Sequence, residues 1–132
     1  MKYLLTIIND ESQAGPTDPT PEQMAGMMEP WIQFNRELVD AGAFVAGDAL
    51  HHSPSATTVR FAEGDQTVTD GPFAETKEQL GGYYVLECSD LDEALAWAKK
   101  VPTQPGNAVE VWPTMDFSQS GYEDPYEAAA KA

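Results

Sequence analysis

Two stretches of helical periodicity, each flanked by short apolar runs, constrain this chain more than any other feature. Tyr3–Ile8 is apolar and partly β-branched, and Asn9, Asp10 and Glu11 end it, so it reads as a buried strand. After the polar Asn9–Pro19 loop, Thr20-Pro21-Glu22-Gln23 combines a capping hydroxyl, a first-turn proline and a reciprocal Gln. Met24, Met27, Met28, Trp31, Phe34, Leu38 and Ala41 then recur at threes and fours, which is one face of a long helix that Gly42 stops. Pro30 removes a backbone hydrogen bond inside it and predicts a kink over Gly26–Pro30. Ala43–Leu50 follows as a strand, with Gly47 as its expected bulge. The pattern recurs downstream. Tyr83–Cys88 reads as a strand, and Ser89 or Asp90 caps a helix with Leu91, Ala94, Leu95 and Ala98 on its buried face. Lys99 and Lys100 suit that helix's C-terminal end, Pro102 stops it, and Ala108–Trp112 is the last strand, closed by Pro113.

Between the two units lies a hairpin region. Ser53-Pro54-Ser55 turns the chain into the alternating run Ala56–Ala62, Glu63-Gly64-Asp65 turns it again, and Thr67–Asp70 returns. Asp70–Leu80 reads as irregular, with a helical turn over Thr76–Gln79. Two strand–helix–strand units separated by extra strands describe an α+β, ferredoxin-like split βαβ fold, with an antiparallel sheet and both helices on one face. The other face needs cover. Tyr83, Val85 and Val111 are assigned to it, and a second copy of the chain is the simplest cover, giving a homodimer with facing sheets, a dimeric α+β barrel. The domain spans 1–113; 114–132 is an acidic tail, in which Glu123–Lys131 suggests a terminal helix.

Charge narrows the partners. Against 22 Asp and Glu stand 7 Lys and Arg, a formal net charge of −15 over 132 residues. Too few cations are present to neutralise a phosphate track, so nucleic acid is excluded as an expected partner, and an anionic membrane surface with it. Solubility or adaptation to high salt accounts for the sign without any charge-specific partner. The chain is 42% hydrophobic, enough for a real core. Cys88 is alone in an apolar strand, where it behaves as a small hydrophobe rather than a disulfide or thiolate ligand. No cofactor is called for. The short apolar start, broken at Asn9, fits neither a signal peptide nor a membrane span, which points to the cytoplasm.

The chemistry concentrates in Asp70-Gly71-Pro72-Phe73-Ala74-Glu75-Thr76-Lys77-Glu78-Gln79-Leu80-Gly81-Gly82-Tyr83-Tyr84. Gly-Pro and Gly-Gly turns pin both ends, and a loop pinned at both ends can hold charges in fixed positions. This run resembles the signature of the DGPF subgroup of the YCII-related proteins. Met1–Leu5, Ala56–Arg60, Leu91–Ala94 and Val109–Val111 add to the resemblance. It implies a ferredoxin-like subunit in a dimeric α+β barrel, a biochemical role not established, and frequent company with extracytoplasmic-function sigma factors. Broader relatives are read as enzymes using a His–Asp pair, with the His in the first helix; here that helix has no His, and the two histidines are His51 and His52. Trp112 stands where the subgroup usually has Arg after its Glu-Val pair.

Two functions of different class follow. In one, a small molecule sits in the cleft near the Asp70–Tyr84 loop, with Asp70 as catalytic general base and Arg60, Phe73, Glu75 and Lys77 as ligand-binding residues. Against that chemistry stands the favoured plain reading, with Asp70 as the turn residue bracing Gly71-Pro72 and Lys77 and Arg60 as ordinary ion-pair partners. No metal is expected, because adjacent His51 and His52 point opposite ways on an extended backbone. Trp31, Phe34 and the Met stripe read as core, with a ligand pocket between helix and sheet as the alternative. The other function is a non-enzymatic binding or regulatory module that meets a protein partner, such as a sigma factor, through its acidic surface.

Overall fold

Thr20 starts the first helix as its residue pattern requires. Its hydroxyl accepts from the Gln23 amide and the Gln23 side chain accepts from the Thr20 amide, a complete capping box. The computed structural model describes residues 1–13, 15 and 18–130. In chain order the elements are β1 (Lys2–Asp10), α1 (Pro21–Asp40), β2 (Phe44–Ala49), β3 (Thr57–Ala62), β4 (Asp65–Asp70), β5 (Glu78–Glu87), α2 (Leu91–Ala98), β6 (Ala108–Pro113) and α3 (Pro125–Ala130). α1 is one helix that runs through Pro30. Lys131, the expected end of the last helix, lies outside the described residues.

β2, β5, β1 and β6 form one sheet in that order, antiparallel at every step, while β3 and β4 pair separately as a hairpin. The two central strands thus come one from each strand–helix–strand unit, which is the ferredoxin-like arrangement. Alternation decides the faces. Tyr3, Leu5 and Ile7 of β1 and Tyr84 and Leu86 of β5 are buried in one cluster with Phe34 and Leu38 of α1 and Ala94 of α2. Phe34 sits at the centre, edge-on to Tyr84 at 5.4 Å and to Trp97 at 6.2 Å between ring centroids.

Several local readings change. The Met stripe of α1 is not core, since Met24, Met27 and Met28 are exposed, and of the α2 face Leu91 and Leu95 are exposed while Ala94 is buried. Val111 does not belong to the helix-free face. It stands opposite Leu5 and packs against the core, so Trp112, opposite Leu4, takes the outward position. Leu4 also faces Val85, and these three side chains define the apolar part of the outer face. The predicted helical turn over Thr76–Gln79 is also absent. β5 starts at Glu78 because β1 extends to Asp10, and the Asp10–Glu78 pairing claims this backbone for the sheet. Gln79 is buried, and its Nε2 donates to the carbonyls of Ala74 (2.6 Å) and Thr76 (2.9 Å). Finally, the register of β2 shifts between Phe44 and Ala46, so the bulge involves Val45 rather than Gly47. Gly47 has another task, since a Cβ there would lie 2.8 Å from the Tyr84 ring.

Candidate functional site

The best-formed concavity opens between α1 and the sheet. Met28, Trp31 and Asn35 come from one face of α1, at helical spacings of three and four, and Phe44, Gly47 and Tyr84 from β2 and β5. The cleft has a volume of about 480 Å³, within the range of ordinary ligand pockets. Its floor is low because three glycines carry no side chain. A Cβ on Gly47 would strike Tyr84, one on Gly81 would lie 1.9 Å from Asn9 Nδ2, and one on Gly82 would lie 3.1 Å from the Asp48 carbonyl. Gly81 is the extra residue where the β1–β5 register shifts between Ile7 and Ile8.

Two polar groups mark this cleft. The Tyr84 hydroxyl donates to Asn35 Oδ1 at 2.6 Å. Burial raises the Tyr84 phenol above its ordinary pKa, against a smaller opposing effect of the Asn35 hydrogen bond, so it is neutral at physiological pH. At the sheet end, Asn9 Oδ1 accepts from Asn107 Nδ2 at 3.2 Å, and Asn107 is itself held by Thr103 and by the Asp10 amide. Asp48 also borders the cleft, but it stands opposite Tyr83 in the ladder. Its carboxylate accepts the Tyr83 hydroxyl at 2.8 Å on the helix-free face, and this bond raises the Tyr83 phenol.

A second, more open concavity of about 570 Å³ lies beside the Asp70–Tyr84 segment, where Pro72, Phe73 and Ala74 meet Leu50, His51 and Leu80. Of the catalytic and ligand-binding residues read from the sequence, Phe73 alone lines it. Phe73 is 71% exposed, and the Arg60 guanidinium sits 4.6 Å from its ring centroid. Asp70 is exposed at the end of β4, opposite Thr57, and the Gly71 amide next to it donates to the Ala56 carbonyl at 2.7 Å. Glu75 is exposed. Lys77 turns towards Asp10, 3.9 Å away, whose carboxyl is held low chiefly by the Ser12 hydroxyl. Among the described residues no ion pair joins Asp70 or Glu75 to Arg60 or Lys77.

Glu11 was not anticipated. It accepts from the Ser53 amide at 2.9 Å and from the Ser53 hydroxyl, tying the end of β1 to the turn before β3, and those bonds hold its carboxyl low. Asn35 was missed as well. Its one sequence signal is a carboxamide four residues after Trp31 on an otherwise apolar stripe. Among the described residues no group of three or more His, Cys, Asp or Glu could hold a metal ion, and no helix is long and apolar enough to cross a membrane.

The chain is similar to an uncharacterized protein of Rhizobium meliloti (strain 1021), 38% identical over 99 residues, which is 75% of this chain and 78% of that one. The YCII-related domain matches residues 1–118. The chain belongs to the YCII-related family.

Proposed function

We propose that this protein is a small-molecule-binding domain of the DGPF type, acting as a homodimer, whose ligand occupies the cleft between α1 and the sheet. The observation that carries this reading is the cleft's construction. Aromatic walls from Trp31, Phe44 and Tyr84 stand over a floor kept open by glycines, two of which, Gly81 and Gly82, belong to the signature run. An apolar cavity with a few fixed polar groups is the usual form of a ligand site. The test is ligand-observed NMR with a library of small apolar compounds on the wild type and Trp31→Ala. Hits that weaken about tenfold or more in Trp31→Ala, with its circular dichroism unchanged, support the reading, since a buried aromatic contributes on the order of 1.5–3 kcal/mol. Hits indifferent to the substitution refute it.

A second reading is favoured by the Arg60–Phe73 stack, a cation beside the more open concavity. There Asp70 acts as general base, with Phe73, Arg60, Glu75 and Lys77 as the ligand-binding group. Asp70→Asn separates this from a turn role. Loss of turnover or binding in a stably folded variant supports acid–base chemistry, and loss of stability alone identifies a turn residue. A sigma factor or other protein partner is the competing proposal. It predicts a co-purifying complex that dissociates as salt is raised, and no complex at any ionic strength removes it.

A further inference from the structure

We propose that the ligand of the α1–sheet cleft is uncharged and carries a carbonyl oxygen, recognised by the carboxamide of Asn35; the inference rests on reading that cleft as a binding site. Charge comes first. The side chains that face the cleft include no Lys, Arg or His to receive a carboxylate or phosphate. Asp48, the acidic residue at its border, directs its carboxylate to Tyr83 on the other side of the sheet. An anion there would be desolvated against aromatic rings without a counter-charge, which is costly, and a cation would meet the N–H side of the Asn35 carboxamide, whose oxygen is already taken by Tyr84. A neutral molecule meets no such penalty.

The polarity of the hydrogen bonds then selects an acceptor. A carboxamide has one oxygen and two N–H donors. The Asn35 oxygen is taken by the Tyr84 hydroxyl, which fixes the orientation of the amide group and leaves its nitrogen as the available side. Among the described residues nothing accepts from Asn35 Nδ2. Asn9 repeats the arrangement at the sheet end, with its oxygen bonded to Asn107 and its Nδ2 lying against Gly81. The Asn35 N–H in an aromatic-walled cleft is complementary to a flat apolar body bearing a carbonyl, as in an aryl ketone, enone or lactone. A hydrocarbon would leave that donor unanswered.

The test compares three ligands of one shape by calorimetry and saturation-transfer NMR: a naphthyl methyl ketone, the corresponding ethylnaphthalene, and naphthoate. The wild type is expected to bind the ketone about tenfold more tightly than the hydrocarbon, the worth of one net hydrogen bond, and naphthoate more weakly than the ketone. Asn35→Leu abolishes the preference for the ketone while hydrocarbon affinity stays within about twofold. Tyr84→Phe, which keeps the ring and frees the amide, lowers the preference several-fold. Equal binding of ketone and hydrocarbon by the wild type, a preference that survives Asn35→Leu, or tighter binding of naphthoate overturns the carbonyl assignment and leaves the cleft standing. Binding of none of the three, or binding unaffected by Trp31→Ala, overturns the cleft itself.

Discussion

Gly81 and Gly26 are the same residue under opposite demands. Gly81 sits in the β5 bulge, and a methyl group there falls 1.9 Å from Asn9 Nδ2 and 2.6 Å from its Cγ. The Asn9 side chain would have to leave Asn107, so Gly81→Ala is expected to cost about 1–3 kcal/mol by overpacking and a lost hydrogen bond. Gly26 lies within α1 with nothing inside 4 Å of its would-be Cβ, so Gly26→Ala is expected to stabilise by about 1 kcal/mol through helix propensity. Urea titration of both variants checks the pair, and destabilisation by both would show that α1 is not the regular helix described. Cys88 makes a different point. Burial, reinforced by Glu93 and Glu87, raises its thiol, so labelling by a thiol reagent is expected to be slow in the folded state and fast in denaturant. That property was legible from its apolar run alone. The role of Asn35 was not, because it is defined by Tyr84, a residue far away in sequence on another element.

Elements were read well where their ends carry local chemistry and badly where they depend on pairing. α2 illustrates the first case. Asp90 accepts from the Glu93 amide at 2.9 Å, and the Glu93 carboxylate reaches back to the Ser89 amide at 2.8 Å, so its start is written into the consecutive run Ser89–Glu93. Asp90→Ala is expected to lower stability by about 1 kcal/mol, measured as a shift in the urea midpoint with an unchanged slope. The start of β5 illustrates the second. Nothing in Glu78–Gly82 alone distinguishes strand from turn. The extended backbone is imposed by Ile8, Asn9 and Asp10 on β1, and the buried Gln79 amide then closes the preceding loop. The outward or inward phase of β6 is likewise a property of register. Shifting a short strand by one residue exchanges Val111 with Trp112, and only the Leu5–Val111 pairing decides it. The cleft inherits this division. Its helix wall of Met28 and Trp31 followed from periodicity, whereas its floor and its hydrogen bonds depend on the β2 and β5 registers.

At the scale of the molecule, the net charge of −15 sets how stability and assembly respond to solution conditions. Asp10, Glu11 and Glu93 have carboxyls held below the ordinary range, each chiefly by a serine hydroxyl: Ser12, Ser53 and Ser89. A depressed folded-state pKa means that the unfolded chain binds protons first on acidification. Their contribution is therefore complete above about pH 4–5 and is lost as pH falls through the carboxylate range. Thermal melts from pH 7 to pH 3 are expected to show that decline, and a Glu11→Gln variant to show a smaller one. The same acids bear on assembly. Leu4 and Val85 on the two central strands, with Trp112 beside them on the edge strand β6, give the helix-free face an apolar patch, and Trp112 is 55% exposed. Two copies meeting through that patch would bring together like-charged protomers. Their repulsion is long-ranged at low ionic strength and is screened to about 10 Å at 0.1 M salt. Burial of the patch is governed by the hydrophobic effect, which such salt does not weaken. Dimerisation through this face is thus expected to strengthen on going from low to physiological salt, the reverse of a complex held by opposite charges. Sedimentation equilibrium at two ionic strengths reads this out, and Val85→Glu, which sets an unpaired charge in the patch, is expected to give a folded monomer at both. Persistence of the dimer in Val85→Glu would assign the contact to another surface.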